Sequence, residues 1–283
     1  YPARRNLKRF DGVDLFEYYK LPRNFKVEPI SCIDLFHLSG GAATVEQPIF
    51  LLQTFSFAIS LVIVMRRSAF DVYYARDAFV LGVLFAAFRS LKKRMFFEAH
   101  TFPESKWGRA FQRRLLTRLG GIVSIGNALG DQFLGLGLSP HNILVAPDAV
   151  DIKRYEGLTK EEAREKLKIK DQRLAVYTGH LYEWKGASVF AEAASLLENV
   201  CALIVGGTES DVAKLRTQVK DRNWKNVEVV GYVAPDQIPF YQAAADVVVL
   251  PNSAKSEISR LHTSPLKLFE YMASGAPIVA SDL

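Results

Sequence analysis

The sequence predicts an α/β protein built from two Rossmann-like, doubly wound parallel-sheet domains that face a cleft. Five short apolar runs recur in the second half of the chain, at 174–178, 201–205, 227–230, 246–250 and 277–280. Continuous Val/Ile/Leu-rich runs of this length are typical of strands buried on both faces. Helical patterns separate the runs, and this alternation of strand and helix indicates βαβ units.

Two helical patterns stand out in this half. GASVFAEAASLLEN at 186–199 predicts a helix, and PDQIPFYQAAA at 235–245 predicts another. Helical spacing of the first segment predicts a buried apolar stripe made by Val189, Ala193, Leu196 and Leu197.

The first half of the chain repeats the pattern less regularly. Strands are predicted at 25–30, 71–75, 94–99, 121–125 and 142–146, and helices near 49–65, 78–90, 107–119 and 126–135. The segment 147–172 begins with a turn and becomes charged, so the predicted domains are 1–150 and 151–283. The chain opens on a loop-like segment and closes directly after a strand. We therefore interpret both ends as truncated and the second domain as incomplete.

Charge and cysteine content restrict the cellular setting. Residues 1–150 carry 19 Lys/Arg against 12 Asp/Glu, whereas the remaining residues are nearly balanced. The basic half could face an anionic acceptor, a phosphate or a membrane, or it could be an ordinary basic surface. The two cysteines, Cys32 and Cys201, lie far apart in apolar runs, which favours a reducing, cytoplasmic location over a disulfide framework.

One apolar segment approaches the length of a membrane span. Pro48 to Met65 contains Gln53 and two serines, and Arg66 and Arg67 follow it. These polar residues favour a buried or membrane-surface helix over a spanning one. The expected location is therefore the cytoplasm, with peripheral contact at the inner membrane face.

Glycine turns follow three of the predicted strands, where ligands of open parallel sheets bind. Gly179 and His180 begin the first turn, which ends at Lys185 and Gly186. Lys185 precedes a helix, so it could hold a diphosphate there, or it could be a solvated lysine at a loop tip. The other two turns are weaker signals and contain Gly206, Gly207, Gly231, Tyr232 and Val233.

The closing segment, 262–283, predicts a helix, a glycine turn and a strand. Ser264 suits the N-cap and Pro265 the first helical position, so the amides near Leu266 and Lys267 would form an anion site. A helical wheel places Lys267, Glu270 and Ser274 opposite an apolar side made by Leu266, Phe269, Met272 and Ala273. Two readings stay open: Lys267 and Glu270 form a surface pair, or Glu270 accepts hydrogen bonds from ligand hydroxyls.

His100 ends the strand within 94–99 and would lie at the edge that faces the cleft. A single histidine in such a position is more often structural than catalytic. The sequence has no zinc-binding spacing, Walker loop, Gly-x-Ser-x-Gly elbow or Asp-x-Asp pair. It therefore predicts no metal and no cofactor.

Five segments together resemble retaining glycosyltransferases of the GT-B fold, from the large glycosyl transferases group 1 family that includes bacterial polysaccharide and glycan enzymes. They are residues 122–133, 143–155, 177–186, 231–252 and 264–282. The last segment is similar to the family's donor-site helix, and 177–186 is similar to its phosphate-binding loop. In 143–155, Asp148 and Ala149 replace the family's usual Asn-Gly.

The resemblance implies roles for individual residues. Lys185 would bind the donor diphosphate, with His180 in the place of a second phosphate-binding arginine, and Glu270 would bind the donor ribose. The first glutamate of the family's Glu-x7-Glu motif would fall at position 262, which is His262 here. His100 would lie near the sugar hydroxyls, so His100, Lys185 and Glu270 are the implied catalytic residues. The implied donor-binding set also contains Gly179, Gly207, Tyr232, Val233, His262, Ser264, Pro265, Leu266 and Lys267.

The implied reaction moves a hexose or N-acetylhexosamine from a nucleoside-diphosphate sugar, such as a UDP or GDP sugar, to a glycan or lipid-linked acceptor. It would retain anomeric configuration without metal, and nucleic acid is not an expected partner. Two alternatives stay open: a nucleotide-sugar epimerase of the same architecture, and a non-catalytic nucleotide-sugar binding fragment.

Overall fold

A computed structural model of the chain describes residues 2–3, 12–36, 43–169, 172–255, 257–261 and 265–283. The chain divides into two compact units, Tyr1–Ala146 and Pro147–Leu283. This division lies four residues before the predicted one. The units are described separately below.

The first unit contains a four-stranded parallel sheet in the order β1-β2-β3-β4. Its strands are β1 Tyr73–Ala75, β2 Met95–Ala99, β3 Gly121–Ser124 and β4 Ile143–Val145. Its helices are α1 Leu15–Tyr19, α2 Ala43–Met65, α3 Ala78–Ala87, α4 Lys106–Leu116 and α5 Asn127–Gly135. Four of the five predicted strands are thereby confirmed.

The predicted strand at 25–30 is wrong. Only Ile30 pairs there, in an isolated bridge with Pro2. Phe25 is 51% exposed, so the segment buries little apolar surface. Pro29 also lacks the backbone N–H that a ladder needs, and the two effects together prevent a regular strand.

Helix α2 lies on the first unit with one face in the core. Gln53, Ala58 and Met65 are buried, whereas Leu51, Phe55, Ile59 and Ile63 are exposed. The 65% exposure of Leu51 illustrates how apolar the outer face is. Within the described residues, one helix segment, Val45–Met65, is long and apolar enough to cross a membrane. In its apolar 18-residue window, 22% of the residues are buried.

The second unit contains a five-stranded parallel sheet in the order β7-β6-β5-β8-β9. Its strands are β5 Arg173–Thr178, β6 Val200–Val205, β7 Val227–Gly231, β8 Val247–Leu250 and β9 Ile278–Ala280. Its helices are α6 Lys160–Leu167, α7 Ala187–Ser195, α8 Glu209–Asp221, α9 Ile238–Ala243, α10 Glu257–Leu261 and α11 Leu266–Ser274. The strand order reverses between β5 and β8, which places a ligand crevice at their carboxyl ends.

The apolar stripe predicted for α7 is wrong. Val189 and Leu196 are 62% and 81% exposed, and Leu196 and Leu197 lie beyond the end of the helix. The buried face is instead made by Ala187, Phe190, Ala191 and Ala194. Small alanines allow α7 to approach the sheet closely, and Phe190 fills the remaining space.

Candidate ligand-binding site

Glycines follow the central strands of the second unit, where the chain packs closely against itself. Gly179 follows β5 with φ +132°, and Gly206 and Gly207 follow β6 with φ +113° and +91°. Gly206 packs so closely that a Cβ there would lie 2.3 Å from the carbonyl oxygen of Gly179. Glycine is therefore required at this position, because it adopts the positive φ and has no side chain that would collide with the neighbouring backbone.

The loop after Gly179 carries a stack of aromatic rings that ends at a lysine. The His180 and Tyr182 rings are parallel, with centroids 5.1 Å apart, and Trp184 stacks next to Tyr182. Lys185 ends the 3-10 turn Glu183–Lys185, and its Nζ lies 5.2 Å from the centre of the Trp184 ring. Burial lowers the pKa of Lys185. The turn therefore holds a desolvated lysine directly before α7.

Lys267 lies at the same edge, on α11. Its Nζ is buried and has no hydrogen-bond partner among the described residues. Its Nζ lies over the ring of Tyr177, whose centre is 4.0 Å away. Burial and then the charge of Lys185 lower the pKa of Lys267 to about 7. His180 is affected in the same way, since burial and Lys185 also lower its pKa. We call His180, Lys185 and Lys267 the cationic cluster.

Glu270 is held by a network of buried polar side chains. Gln242, which is 0% exposed, donates from Nε2 to Glu270 Oε2 at 3.2 Å and to Thr178 Oγ1 at 3.0 Å. Gln242 Oε1 accepts a hydrogen bond of 2.6 Å from the hydroxyl of Tyr155. The Thr178 backbone N–H donates to the Tyr271 hydroxyl at 3.0 Å. Burial raises the pKa of Glu270, although the Gln242 hydrogen bond opposes this rise.

Removal of the Tyr155 hydroxyl tests this network. We expect Tyr155→Phe to lower the free energy of unfolding by about 1–3 kcal/mol, because Gln242 Oε1 would stay buried without a donor. Urea denaturation of both proteins would measure the difference. Tyr182→Phe is a matched control, because the Tyr182 side chain is 48% exposed. Equal losses in the two variants would contradict the role given to Tyr155.

The orientation of α11 differs from the helical-wheel prediction. Leu266 and Met272 are 49% and 64% exposed, whereas Tyr271 is 0% exposed. Lys267 and Glu270 lie on the inner side with Tyr271, so the surface-pair reading is wrong, and the reading in which Glu270 binds ligand hydroxyls stays a prediction. Tyr271 decides the orientation because its large ring fills the core and its hydroxyl has a partner there.

The start of α11 also differs from the prediction. Pro265 is the N-cap, not the first helical residue, and among the described residues no side chain caps the helix. The first helical residue is Leu266. His262 and Ser264, which were predicted to bind the donor, lie outside the described residues.

The remaining predicted donor-binding residues of the second unit lie in the turns after β6 and β7. Gly207 contacts Leu181, since a Cβ on Gly207 would lie 2.7 Å from the Leu181 side chain. Tyr232 and Val233 follow β7 at the same carboxyl edge, and Tyr232 is 47% exposed. The roles of all these residues stay predictions.

His100 belongs to a separate polar cluster in the first unit. Its Nε2 lies 2.7 Å from Glu98 Oε1, and Arg76 binds the same carboxylate through two nitrogens, at 2.9 Å and 3.1 Å. Burial acts to raise the pKa of Glu98, but hydrogen bonds from Arg76 and His100 outweigh it and lower the pKa. Glu98 therefore fixes the orientation of the imidazole at the carboxyl end of β2. No group of three or more His, Cys, Asp or Glu suited to a metal occurs in the described part of the chain.

A depression of about 770 Å³ lies at the opposite edge of the second sheet, where β5 and β6 begin. Arg164, Arg173 and Asp246 line it. Asp246 pairs there with Arg164 and also with Lys160. The carboxyl edge is the better candidate for an anionic ligand, because the Lys267 amine there has no hydrogen-bond partner among the described residues.

Two family models match the two halves of the chain. Residues 35–154 match the model described as glycosyltransferase family 4, and residues 172–283 match the model described as glycosyl transferases group 1. These matches and the fold support a glycosyltransferase of the GT-B architecture.

Individual relatives are consistent with this class. TuaC of Bacillus subtilis (strain 168), by its name a candidate glycosyltransferase of teichuronic acid biosynthesis, is 33% identical over 150 residues. That match covers 52% of this chain and 35% of TuaC, so the matched part spans about a third of the relative.

Solved structures share the fold at low sequence identity. Anabaena HepE, solved in complex with UDP-glucose, has a TM-score of 0.67 and 21% identity, and the match covers 94% of this chain and 68% of HepE. Sucrose-phosphate synthase from Thermosynechococcus elongatus has a TM-score of 0.65 and 17% identity, with 81% and 60% of the two chains covered.

Proposed function

We propose that this protein is a retaining glycosyltransferase that moves a hexose or N-acetylhexosamine from a nucleoside-diphosphate sugar to a glycan or lipid-linked acceptor. The observation that carries the proposal is the cationic cluster, which lies beside Glu270 at the switch point of the second sheet. Binding of UDP-glucose by HepE and the name of TuaC support a nucleotide-sugar donor and a glycan acceptor.

The charge of the site suits the departure of a diphosphate. When the bond between the anomeric carbon and the phosphate oxygen breaks, negative charge develops on the leaving diphosphate. Lys185 as a cation and His180 as an N–H donor, both in the loop after Gly179, would stabilise that charge without metal. The acceptor oxygen forms the new bond on the same face of the sugar, and the leaving phosphate takes the acceptor proton.

Glu270 would hold the nucleoside half of the donor. Gln242 donates to one carboxylate oxygen of Glu270, and no described residue donates to the other, which could accept hydrogen bonds from ribose hydroxyls. Ribose is not charged, so the carboxylate contributes orientation rather than compensation of charge. In the first unit, the His100 imidazole oriented by Glu98 would contact the hydroxyls of the transferred sugar.

A binding screen followed by product analysis tests this function. Thermal-shift assays with UDP-, GDP- and ADP-sugars would identify the base, and calorimetry would measure the affinity. Incubation of the selected donor with and without acceptor separates the activities: a transferase releases the nucleoside diphosphate when acceptor is present, whereas an epimerase changes the sugar without acceptor. Nuclear magnetic resonance of the new glycosidic bond would report retention. Absence of binding to every nucleotide sugar would overturn the proposal.

We also propose peripheral contact between the first unit and an anionic membrane. Phe55 on α2 and Phe79 on α3 pack with ring centres 6.4 Å apart, and Phe111 on α4 lies against Gly82 of α3, so the three helices adjoin. Trp107 on α4 is 87% exposed, and Arg113, Arg114 and Arg118, at the end of α4 and just beyond it, are exposed as well. Apolar and aromatic groups beside cations are typical of an interfacial surface.

Vesicle sedimentation tests this contact. We expect binding to vesicles rich in phosphatidylglycerol at low salt, and a loss of at least about 10-fold in Arg113→Glu/Arg114→Glu, since each cation near the surface contributes about 1 kcal/mol. Lys220→Glu, which changes an exposed lysine of the second unit, is the control. No binding by the wild-type protein at low salt, or equal binding by all three proteins, would contradict the proposal.

A further inference from the structure

We propose that Lys267 is the internal counter-charge of the diphosphate site, a buried amine that takes up a proton when a nucleoside diphosphate binds. This inference builds on the proposed function, because it assumes that the ligand of the carboxyl edge is a diphosphate.

The side chain of Lys267 packs against Gly179, the glycine at the end of β5. A Cβ on Gly179 would lie 3.1 Å from Lys267 Cδ and 3.8 Å from Nζ. Gly179 is also one of the residues that the sequence predicts to bind the donor. Lys267 Nζ therefore lies below the floor of the candidate site, next to the atoms that a bound phosphate would contact.

The groups around Lys267 Nζ disfavour the charged form of the amine. Tyr177 of β5 offers only the face of its ring, since its hydroxyl donates to the carbonyl of His180. The charge of Lys185 acts on Lys267 and lowers its pKa further, and the carboxylate of Glu270 partly opposes this effect. No ion pair of Lys267 exists among the described residues. A buried ammonium without a hydrogen bond is unfavourable, so the empty site disfavours the charged form.

A bound diphosphate reverses this balance. Two or three negative charges at Gly179 would compensate Lys185 and favour the ammonium form of Lys267. Because burial and Lys185 lower its pKa to about 7 in the empty site, Lys267 is mostly neutral at pH 8. Binding at pH 8 should then draw close to one proton from the buffer. The ligand itself contributes little, since its phosphate has a second pKa of about 6.

Calorimetry with UDP, at pH 8 in buffers of different ionisation enthalpy, measures this uptake. If thermal-shift screening selects GDP or ADP instead, that nucleotide replaces UDP as the probe. We expect the wild-type protein to take up about 0.5–1 proton per nucleotide, and Lys267→Met to take up less than about 0.2. We also expect Lys267→Met to bind about 10-fold more weakly. Lys220→Met is the matched control, and it should behave as the wild type because Lys220 is exposed at the end of α8.

Urea denaturation at several pH values tests whether the Lys267→Met variant is folded and whether Lys267 contributes to the pH dependence of stability. The pKa of Lys267 is lower in the folded than in the unfolded chain, so the unfolded chain binds the extra proton between about pH 7 and 10. Wild-type stability should therefore rise with pH across that window, and the rise should be smaller in Lys267→Met. A cooperative urea transition of the variant would establish that methionine, which is similar in length, preserves the fold.

The outcomes separate the two proposals. Nucleotide binding by the wild type without proton uptake, or unchanged uptake in Lys267→Met, would overturn the role of Lys267 and leave the glycosyltransferase proposal standing. Failure of UDP, GDP and ADP to bind the wild type would overturn the proposed function, and the inference about Lys267 with it.

Discussion

Lys185→Ala should lower the affinity for the donor nucleotide by about 10- to 100-fold. A charge-assisted hydrogen bond to phosphate contributes about 1.5–3 kcal/mol, and each 1.4 kcal/mol corresponds to about tenfold in affinity. Lys185 lies directly before α7, so the variant would lose its cation while the free amides at the start of the helix remain. Calorimetry with UDP, or with the nucleotide that the screen selects, would measure the change.

The comparison needs a lysine that lies outside the site. Lys220→Ala is that control, because it removes an exposed lysine from the same unit. Lys185→Ala should unfold at nearly the wild-type temperature, because no buried partner is left unpaired among the described residues. Equal affinities in the wild type and in Lys185→Ala would show that the diphosphate does not bind at this loop.

Gly186→Ala should destabilise the protein by about 3–5 kcal/mol, which is large for a single added methyl group. Gly186 has φ +72°, a conformation that costs an alanine about 1–2 kcal/mol. In addition, the new Cβ would lie 1.8 Å from the carbonyl oxygen of Pro251, so the backbone at the end of β8 would have to move. Urea denaturation would give the loss in the free energy of unfolding.

Gly275 provides a close control for this substitution. It has the same φ of +72°, but nothing lies within 4 Å of the position of its Cβ. Gly275→Ala should therefore show only the conformational cost of about 1–2 kcal/mol. If the two variants lost equal stability, the close approach of Gly186 to Pro251 would not be a feature of the folded protein.

Most of the fold could be predicted because its strands are local features of the sequence. A run such as 201–205 is apolar throughout, and its only stable position is a strand covered on both faces, as β6 is. The prediction of a strand at 25–30 was wrong because residue type alone does not reveal whether a partner strand is available. The prediction of an apolar stripe on α7 was wrong because periodicity does not show where a helix ends.

The site could be predicted only where its residues follow strand ends. Lys185 is such a residue, and Glu270 was found through its resemblance to a family motif. Gln242 and Tyr155 were missed because their roles depend on contacts between residues 87 positions apart. A glutamine within the apolar helix PFYQAAA was the one available signal. The burial of the Lys267 side chain was not predicted, because the helical wheel assigned the buried side from the apolar residues alone. The ring of Tyr271 is buried instead and turns Lys267 inward.

The sheet order of the second unit has a consequence for how this site is assembled during folding. Strand β5 pairs with β6, its neighbour in sequence, but also with β8, about 70 residues away. The first pairing closes a short loop and the second a long one, and long loops are entropically slower to close. The loop that contains Lys185 lies between β5 and β6, whereas Gln242 and Glu270 lie on α9 and α11, the helices before and after β8. Nascent chains would thus possess a cationic surface before they possess the carboxylate of the candidate site.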